Sequence, residues 1–251
     1  MKNKQRRELA VCGFEAVKAL AERHPDAIQR LFFTQARSRA FGPVCKALAA
    51  SRRLYRLVES ESELEKLCQS VHHQGVVAMI AEPEIPRVDR TILDAWRVAR
   101  ERVLVLDRVG NANNLGAIVR SAAFFGISKI VIGEDDEQAE ITTSSYRVAQ
   151  GGMELVEVFR APSARWLVEE AAGKMTRIGA DHRARNRLQD LSSLVDPETG
   201  ILVVLGNEES GLSSAVQATC DHLVRIPGTG ELESLNVAQA ATLFLYELAG
   251  L

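Results

Sequence analysis

No run of this 251-residue chain is apolar for the about 18 residues that a bilayer-spanning helix needs, which excludes a membrane-spanning helix. Its four cysteines (Cys12, Cys45, Cys68, Cys220) are scattered, without a CxxC pair or a neighbouring histidine couple. That spacing argues against a disulfide framework or a zinc site, and for small core residues in a reducing compartment. The five histidines carry no ligand spacing, so no metal is expected. A net charge of −2 gives no global pull towards nucleic acid, so any such binding must come from local basic patches. Also missing are the Gly-Lys-Ser/Thr of a triphosphate loop and the three-glycine fingerprint of a dinucleotide site. What is present, 46% hydrophobic and 25% charged residues, is ordinary globular composition with length for one large or two modest domains. The start, Met1-Lys-Asn-Lys-Gln-Arg-Arg7, is basic with no long apolar region after it, and the cytoplasm is the expected address.

Between residues 9 and 81 short strand-like runs alternate with helical patterns. Helices are expected at Ala16–Ala21, Val44–Ala50 and Glu61–Gln69, and strands at Leu31–Phe33, Leu54–Val58 and Val76–Ile80. This alternation describes a small βαβ-type domain. Glu82-Pro-Glu-Ile-Pro86 breaks regular structure and serves as a linker. The expected division is therefore 1–86 and 87–251. The second part opens with a short amphipathic helix within Arg87–Arg100 and an apolar strand, Arg102–Asp107, of the buried parallel type. Strands at Lys129–Gly133, Leu155–Phe159, Arg177–Ala180, Ile201–Leu205 and Leu223–Ile226 follow, with helices at Leu115–Phe125, Ser163–Ala172 and Val237–Leu248. The pattern predicts a parallel α/β sheet covered on both faces.

Three segments carry chemistry. The first, Asp107-Arg-Val-Gly-Asn-Ala-Asn-Asn-Leu-Gly-Ala-Ile-Val-Arg120, runs from a strand end through an Asn/Gly loop into a helix. It offers Arg120 as an anion contact and Asn114 as an orienting amide; taken alone, a turn with a surface arginine explains it as well. The second, Leu202-Val-Val-Leu-Gly-Asn-Glu-Glu-Ser-Gly-Leu212, places two acids beside a glycine-rich loop. Glu208 and Glu209 would repel a pyrophosphate and suit a neutral or cationic ligand, such as one bearing a sulfonium; taken alone, an ordinary strand-to-helix loop fits too. The third joins Ile226-Pro-Gly-Thr-Gly-Glu-Leu-Glu-Ser-Leu-Asn236 to a helix apolar almost all round, which needs cover on most sides. Ligands of open α/β sheets sit just past such strand ends.

Together, Asn114-x-Gly116-x-x-x-Arg120, then Gly206-Asn207-Glu208-x-x-Gly211-Leu212, then Ile226-Pro227 with Ser234-Leu235-Asn236-Val237 resemble the SpoU/TrmH family of RNA ribose 2′-O-methyltransferases, of the trefoil-knotted SPOUT class. The resemblance spans residues 102–251. Gly13-Phe-Glu-Ala-Val17 and His73-Gln-Gly-Val76 are similar to the small substrate-binding domain of many members. The resemblance implies a knotted C-terminal domain, which periodicity alone would draw as a plain open sheet, preceded by a small α/β domain. It implies S-adenosyl-L-methionine as cofactor, held by Leu205, Gly206, Gly211, Ile226, Pro227 and Leu235. It implies an RNA substrate (ribosomal favoured over transfer RNA) and a homodimer in which the last helix finds cover. By family analogy Arg120 acts on the ribose hydroxyl, as electrostatic stabiliser in preference to general base, since arginine has almost no neutral form near pH 7; base action is the alternative. Ser234 and Asn236 would orient Arg120 or hold phosphate, Asn114 would orient, and Glu208 would fix the loop or an RNA hydroxyl.

The chain departs from the family pattern twice. Asn111-Ala112 stands for the usual Asp-Pro, and Ala149-Gln150-Gly151-Gly152 stands for a central Ser-x-Gly-Ala. Candidate RNA patches are Arg52, Arg53 and Arg56; Arg97, Arg100 and Arg102; and, best placed to follow phosphates, Arg183, Arg185 and Arg187 in an expected loop. Trp96 and Trp166 fall at helical positions and are expected to pack. A non-catalytic RNA-binding protein on the same scaffold is the competing class; a nicotinamide oxidoreductase fails for want of its fingerprint.

Overall fold

Residues 7–251 are described by a computed structural model, which leaves the basic stretch 1–6 outside the described residues. They form two compact units, the first running to Glu84 and also taking in Ile141–Leu155, the second comprising Ile85–Glu140 and Val156–Leu251. A single cut at 86/87 would assign Ile141–Leu155 to the other side.

In the first unit β1 (Glu8–Cys12), α1 (Phe14–Arg23), β2 (Ile28–Phe33), α2 (Gly42–Ala50), β3 (Leu54–Leu57), α3 (Glu61–Cys68) and β4 (Val76–Ala81) follow one another. Their sheet runs β1-β4-β2-β3. Only β2 and β3 are parallel, and β4 runs antiparallel to both β1 and β2. The expected βαβ unit is thus present, inside a mixed sheet. Period-2 alternation buries both faces: Val11, Leu31, Val76, Ala78 and Ile80 on one, Ala10, Cys12, Phe32, Val77 and Met79 on the other. β1 escaped the sequence reading because its five residues follow a basic stretch.

The second unit begins with α4 (Arg90–Ala99), β5 (Arg102–Leu106), α5 (Ala112–Phe125) and β6 (Lys129–Gly133). The chain then leaves for α6 (Thr143–Ala149), which contributes Tyr146 to the core of the first unit. A Cβ on Gly151 would lie 2.7 Å from the Ala19 Cβ, so the glycine that this segment shares with the family pattern serves close packing on α1; nothing in the structure explains Ala149 and Gly152 in place of the family's Ser and Ala. On return come β7 (Glu157–Ala161), α7 (Ala164–Glu170), β8 (Met175–Ala180), β9 (Asn186–Arg187), α8 (Leu191–Leu194), β10 (Gly200–Leu205), α9 (Ser214–Gln217), β11 (His222–Arg225) and α10 (Val237–Ala249). The seven strands are ordered β7-β6-β5-β10-β8-β11-β9, all parallel. β7 lies two residues later than expected.

All six residues of β10 and four of the five in β5 are buried, as apolar runs covered on both faces require. One face packs Val103, Val105, Leu202 and Val204 against Leu93, Trp96, Leu167 and Val168. Trp96 meets Phe159 edge-on at 5.1 Å, a packing role as expected. α10 lies against α5, joined by a 2.8 Å hydrogen bond between the Ser121 and Thr242 hydroxyls. Among the described residues no helix is long and apolar enough to cross a membrane.

Candidate active site

Because the sheet is parallel, the loops after β5 (107–111), β10 (206–213) and β11 (226–236) leave its same end. Local chemistry shapes each of them. The Asn111 side chain caps α5 by accepting from the Asn113 N–H at 2.8 Å. Asn at the cap and Ala at the first helical position meet the same two demands as Asp-Pro, so this departure leaves the entry to α5 intact. The helix therefore starts at Ala112 rather than Leu115, and Asn114 sits in its first turn, not in the loop. Arg120 lies six residues further, about 9 Å along the axis.

The second loop folds on itself. Asn207 and Gly211 exchange main-chain bonds at 3.2 and 3.0 Å, while the Asn207 carboxamide oxygen accepts from the N–H groups of Glu209 and Ser210. Gly206 is enclosed by that fold: a Cβ there would lie 2.2 Å from the Gly211 carbonyl carbon. In the third loop, residues 227–235 make no main-chain to main-chain hydrogen bond among the described residues, and the Glu231 N–H donates to the Thr229 hydroxyl at 3.4 Å. The remaining groups must find water or a ligand.

Side chains bind the three loops together. Glu208 accepts from the Asn114 amide at 2.7 Å through one carboxylate oxygen and from the Gly110 N–H at 3.2 Å through the other. Asn114 in turn accepts from the Asn236 amide at 3.2 Å. Asn236 accepts from the Ala238 N–H at 2.9 Å, capping α10. A carboxylate can only accept, so Glu208 fixes the direction of every bond along this chain. Both Glu208 oxygens are occupied, which makes it a brace for Asn114.

The other expected site residues are placed as follows. Arg120 and Ser234 are exposed and have no hydrogen bond or ion pair among the described residues. Leu205 is buried, and its carbonyl accepts the Asp107 N–H at 2.8 Å. Gly206, Ile226 and Pro227 are half-buried, while Gly211 and Leu235 are exposed. The chain Glu208–Asn114–Asn236 is thus assembled, and Arg120 and Ser234 stand free of it.

Three residues of the scaffold have a part that the sequence did not assign: Asp107 and Asn207, which stand in the motif segments, and Gln138, which does not. Asp107, 4% exposed, accepts from the Ser213 N–H at 3.2 Å and pairs with Arg108 at 3.2 Å, tying the first loop to the second. That hydrogen bond raises the Arg108 pKa above its ordinary value, against the opposing effect of burial. Asn207 also donates to the Arg108 carbonyl at 2.8 Å. Buried Gln138 clasps Val109, accepting its N–H at 3.1 Å and donating to its carbonyl at 3.0 Å. An acid closing an apolar strand was the one available signal, for Asp107.

The basic patches are partly committed. Arg53 donates to the Asp26 and Ile28 carbonyls, Arg56 pairs with Glu63, and Arg100 with Glu198. Arg183 is held by Asp181 at 3.2 Å, and although burial opposes it, the net effect lowers the Asp181 pKa. Arg185 and Arg187 remain exposed and unpaired among the described residues; Arg187 lies in β9, not in a loop.

A methylated sulfonium cofactor is compatible with this donor set. Among the described residues the third loop offers main-chain groups without main-chain partners and open space at Gly228 and Gly230; Glu208 is tied to it through Asn114 and Asn236, and the loop itself carries Glu231 and Glu233. Among the described residues no cluster of three or more His, Cys, Asp or Glu could hold a metal ion.

Residues 101–246 match the family model described as the SpoU rRNA methylase family, and residues 10–86 match one described as RNA 2′-O ribose methyltransferase substrate binding. The chain is 32% identical over 238 residues to the 23S rRNA (guanosine-2′-O-)-methyltransferase RlmB of Acinetobacter baylyi, covering 94% of each chain. It is 32% identical over 248 residues to that of Coxiella burnetii, covering 95% of this chain and 94% of that one. The structure of the SpoU methyltransferase AviRb from Streptomyces viridochromogenes, solved with AdoMet, superposes with a TM-score of 0.75 at 24% identity over 99% of this chain and 92% of that one.

Proposed function

We propose, from the premise that this chain belongs to the SpoU rRNA methylase family, that it transfers a methyl group from S-adenosyl-L-methionine to a ribose 2′-hydroxyl of ribosomal RNA. The observation carrying this reading is the hydrogen-bonded chain Glu208–Asn114–Asn236, which joins the three motif loops at one end of a parallel sheet. Relatives named as guanosine-2′-O-methyltransferases of 23S rRNA favour ribosomal over transfer RNA.

Leu205, Gly206, Gly211, Ile226, Pro227 and Leu235 would hold the cofactor, chiefly through main-chain groups. Bound there, it supplies an electrophilic methyl on a sulfonium. The protein's task is then mostly positioning, with nucleophile and methyl held in line. Arg120 stabilises the charge developing on the ribose oxygen and the adjacent phosphate. Ser234 holds that phosphate, and Asn236 and Asn114 orient the substrate side of the site, braced by Glu208. The family's trefoil knot belongs to the same reading, supported by the likeness of fold and by β10 lying between strands earlier in sequence. The cytoplasm is the compartment a ribosomal RNA substrate requires, and four free thiols suit it.

A homodimer completes the reading. Phe124 is 82% exposed, Tyr246 63% and Leu243 39%, and Phe125 links the first two by ring contacts at 5.1 and 6.0 Å. A contiguous aromatic patch of this kind calls for a partner, and α5 and α10 together present it. Replacing Phe124 and Tyr246 with aspartate is expected to shift the protein from dimer to monomer in light scattering; an unchanged mass would exclude this face.

Titration calorimetry with S-adenosylhomocysteine, paired with transfer of labelled methyl to protein-free ribosomal RNA, tests the function. Asn236→Ala removes a helix cap worth about 1 kcal/mol and releases Asn114, so it is expected to remain folded but to lose cofactor binding. A folded wild type that binds no S-adenosylhomocysteine would favour a non-catalytic RNA-binding protein instead.

A further inference from the structure

The first unit holds a cleft of about 560 Å³ that the methyl-transfer chemistry does not use, lined by Thr34, Arg37, Glu61, Val71, His73 and Gln74 among others. Its size falls within the roughly 300–1,000 Å³ of small-ligand sites. The two short segments that marked the substrate-binding resemblance meet at its wall. The Phe14 N–H donates to the Gln74 side-chain oxygen at 2.7 Å, and the Gly13 N–H to the His73 carbonyl at 3.3 Å.

The wall is set before any ligand arrives. Thr34 N–H donates to the Gly75 carbonyl at 2.9 Å, and Arg37 Nε to the Gln74 carbonyl at 3.0 Å. His73, only 3% exposed, accepts the Gly75 N–H at its Nδ1 at 3.0 Å. Its proton must therefore sit on Nε2, which has no partner among the described residues. The Arg37 guanidinium lies 4.4 Å over the Phe14 ring, and its two terminal nitrogens are likewise unpartnered among the described residues. Val71, 67% exposed, adds an apolar surface at the rim.

We infer that this cleft captures one unpaired nucleotide of the RNA, its base stacked against the Arg37 plane and Val71 and its phosphate held by the Arg37 fork and His73 Nε2–H. This rests on the reading of the chain as an RNA methyltransferase. The Arg37 fork and the His73 N–H are the donors a phosphate needs, and His72 lines the same cleft. The one acid, Glu61, accepts N–H groups from a base edge and repels a second phosphate, so the cleft fits a single splayed-out nucleotide rather than a backbone track. Unstacked bases of single strands are the elements that stacking platforms read in RNA, because a duplex keeps its base edges out of reach.

The test is filter binding of the full chain to protein-free ribosomal RNA, with S-adenosylhomocysteine present, competed by a mixed-sequence single-stranded oligoribonucleotide or by its duplex. Arg37→Ala and the rim variant Val71→Glu, whose exposed site does not bear on folding, should each weaken binding about tenfold or more. Lys46→Ala, an exposed charge on α2, should stay within about twofold. The single strand should compete and the duplex should not. A wild type that binds RNA without methylating it would overturn the functional reading and leave the cleft standing. Equal binding by Arg37→Ala and Val71→Glu, or no RNA binding by the wild type, would overturn the cleft.

Discussion

Arg120→Ala is expected to lower methyl-transfer turnover by about 10²–10³-fold, with S-adenosylhomocysteine affinity unchanged within about threefold. The side chain is exposed and makes no hydrogen bond or ion pair among the described residues, so its loss breaks no polar contact of the folded state. Alanine is also the better helix former within α5. Whatever activity disappears would then reflect the charge-stabilising role proposed for Arg120. Arginine stays protonated throughout the working pH range, so it serves as a fixed positive charge and not as a proton acceptor. Arg120→Lys separates charge from shape: it keeps the former and loses the planar fork, and an intermediate rate is expected. The discriminating measurement is single-turnover transfer to ribosomal RNA beside calorimetry with S-adenosylhomocysteine. Loss of cofactor binding in Arg120→Ala, or turnover near wild type, would remove Arg120 from the role assigned to it.

Much of the second unit was legible because its strands are short apolar runs bounded by helices, a pattern that identifies a doubly covered parallel sheet. The strands expected at Arg102–Asp107 and Ile201–Leu205 lie within one residue of those observed, Arg102–Leu106 and Gly200–Leu205, and the last helix could be read as well. What could not be read was the pairing. Asn114 meets Glu208 across 94 residues and Asn236 across 122, and no local signal announces a contact at such separations. The membership of Ile141–Leu155 in the first unit was hidden for the same reason, since Tyr146 enters a core built from residues more than a hundred positions earlier as well as nearer ones. The Thr142–Ser145 capping box starts α6, but with Ser in place of Glu or Gln at its last position it leaves no signature in the sequence. The Asn111-Ala112 departure, suspicious as a pattern, is neutral as chemistry, because cap and first helical position are filled by residues suited to them.

Gly206→Ala carries the largest expected effect on the folded protein. The added methyl would sit 2.2 Å from the Gly211 carbonyl carbon, 2.3 Å from the Leu212 nitrogen and 2.5 Å from the Gly211 oxygen. All three are main-chain atoms, so no side chain can rotate aside, and the Asn207–Gly211 bonds must stretch or break. Overpacking of this kind costs about 1–3 kcal/mol, which for a chain of this length lowers Tm by roughly 2–12 °C. The functional loss should exceed the loss of stability. Once the loop opens, Glu208 no longer meets the Gly110 N–H and the Asn114 amide together, and the brace that aligns the three loops is gone. S-adenosylhomocysteine binding is therefore expected to vanish at temperatures where circular dichroism still reports a folded chain. Gly211→Ala is the control. Nothing lies within 4 Å of a Cβ there, and only its φ of +66° opposes the change, at a cost of about 1 kcal/mol. If both variants lose the same stability and both keep the ligand, the close crossing at Gly206 is not what holds the site together.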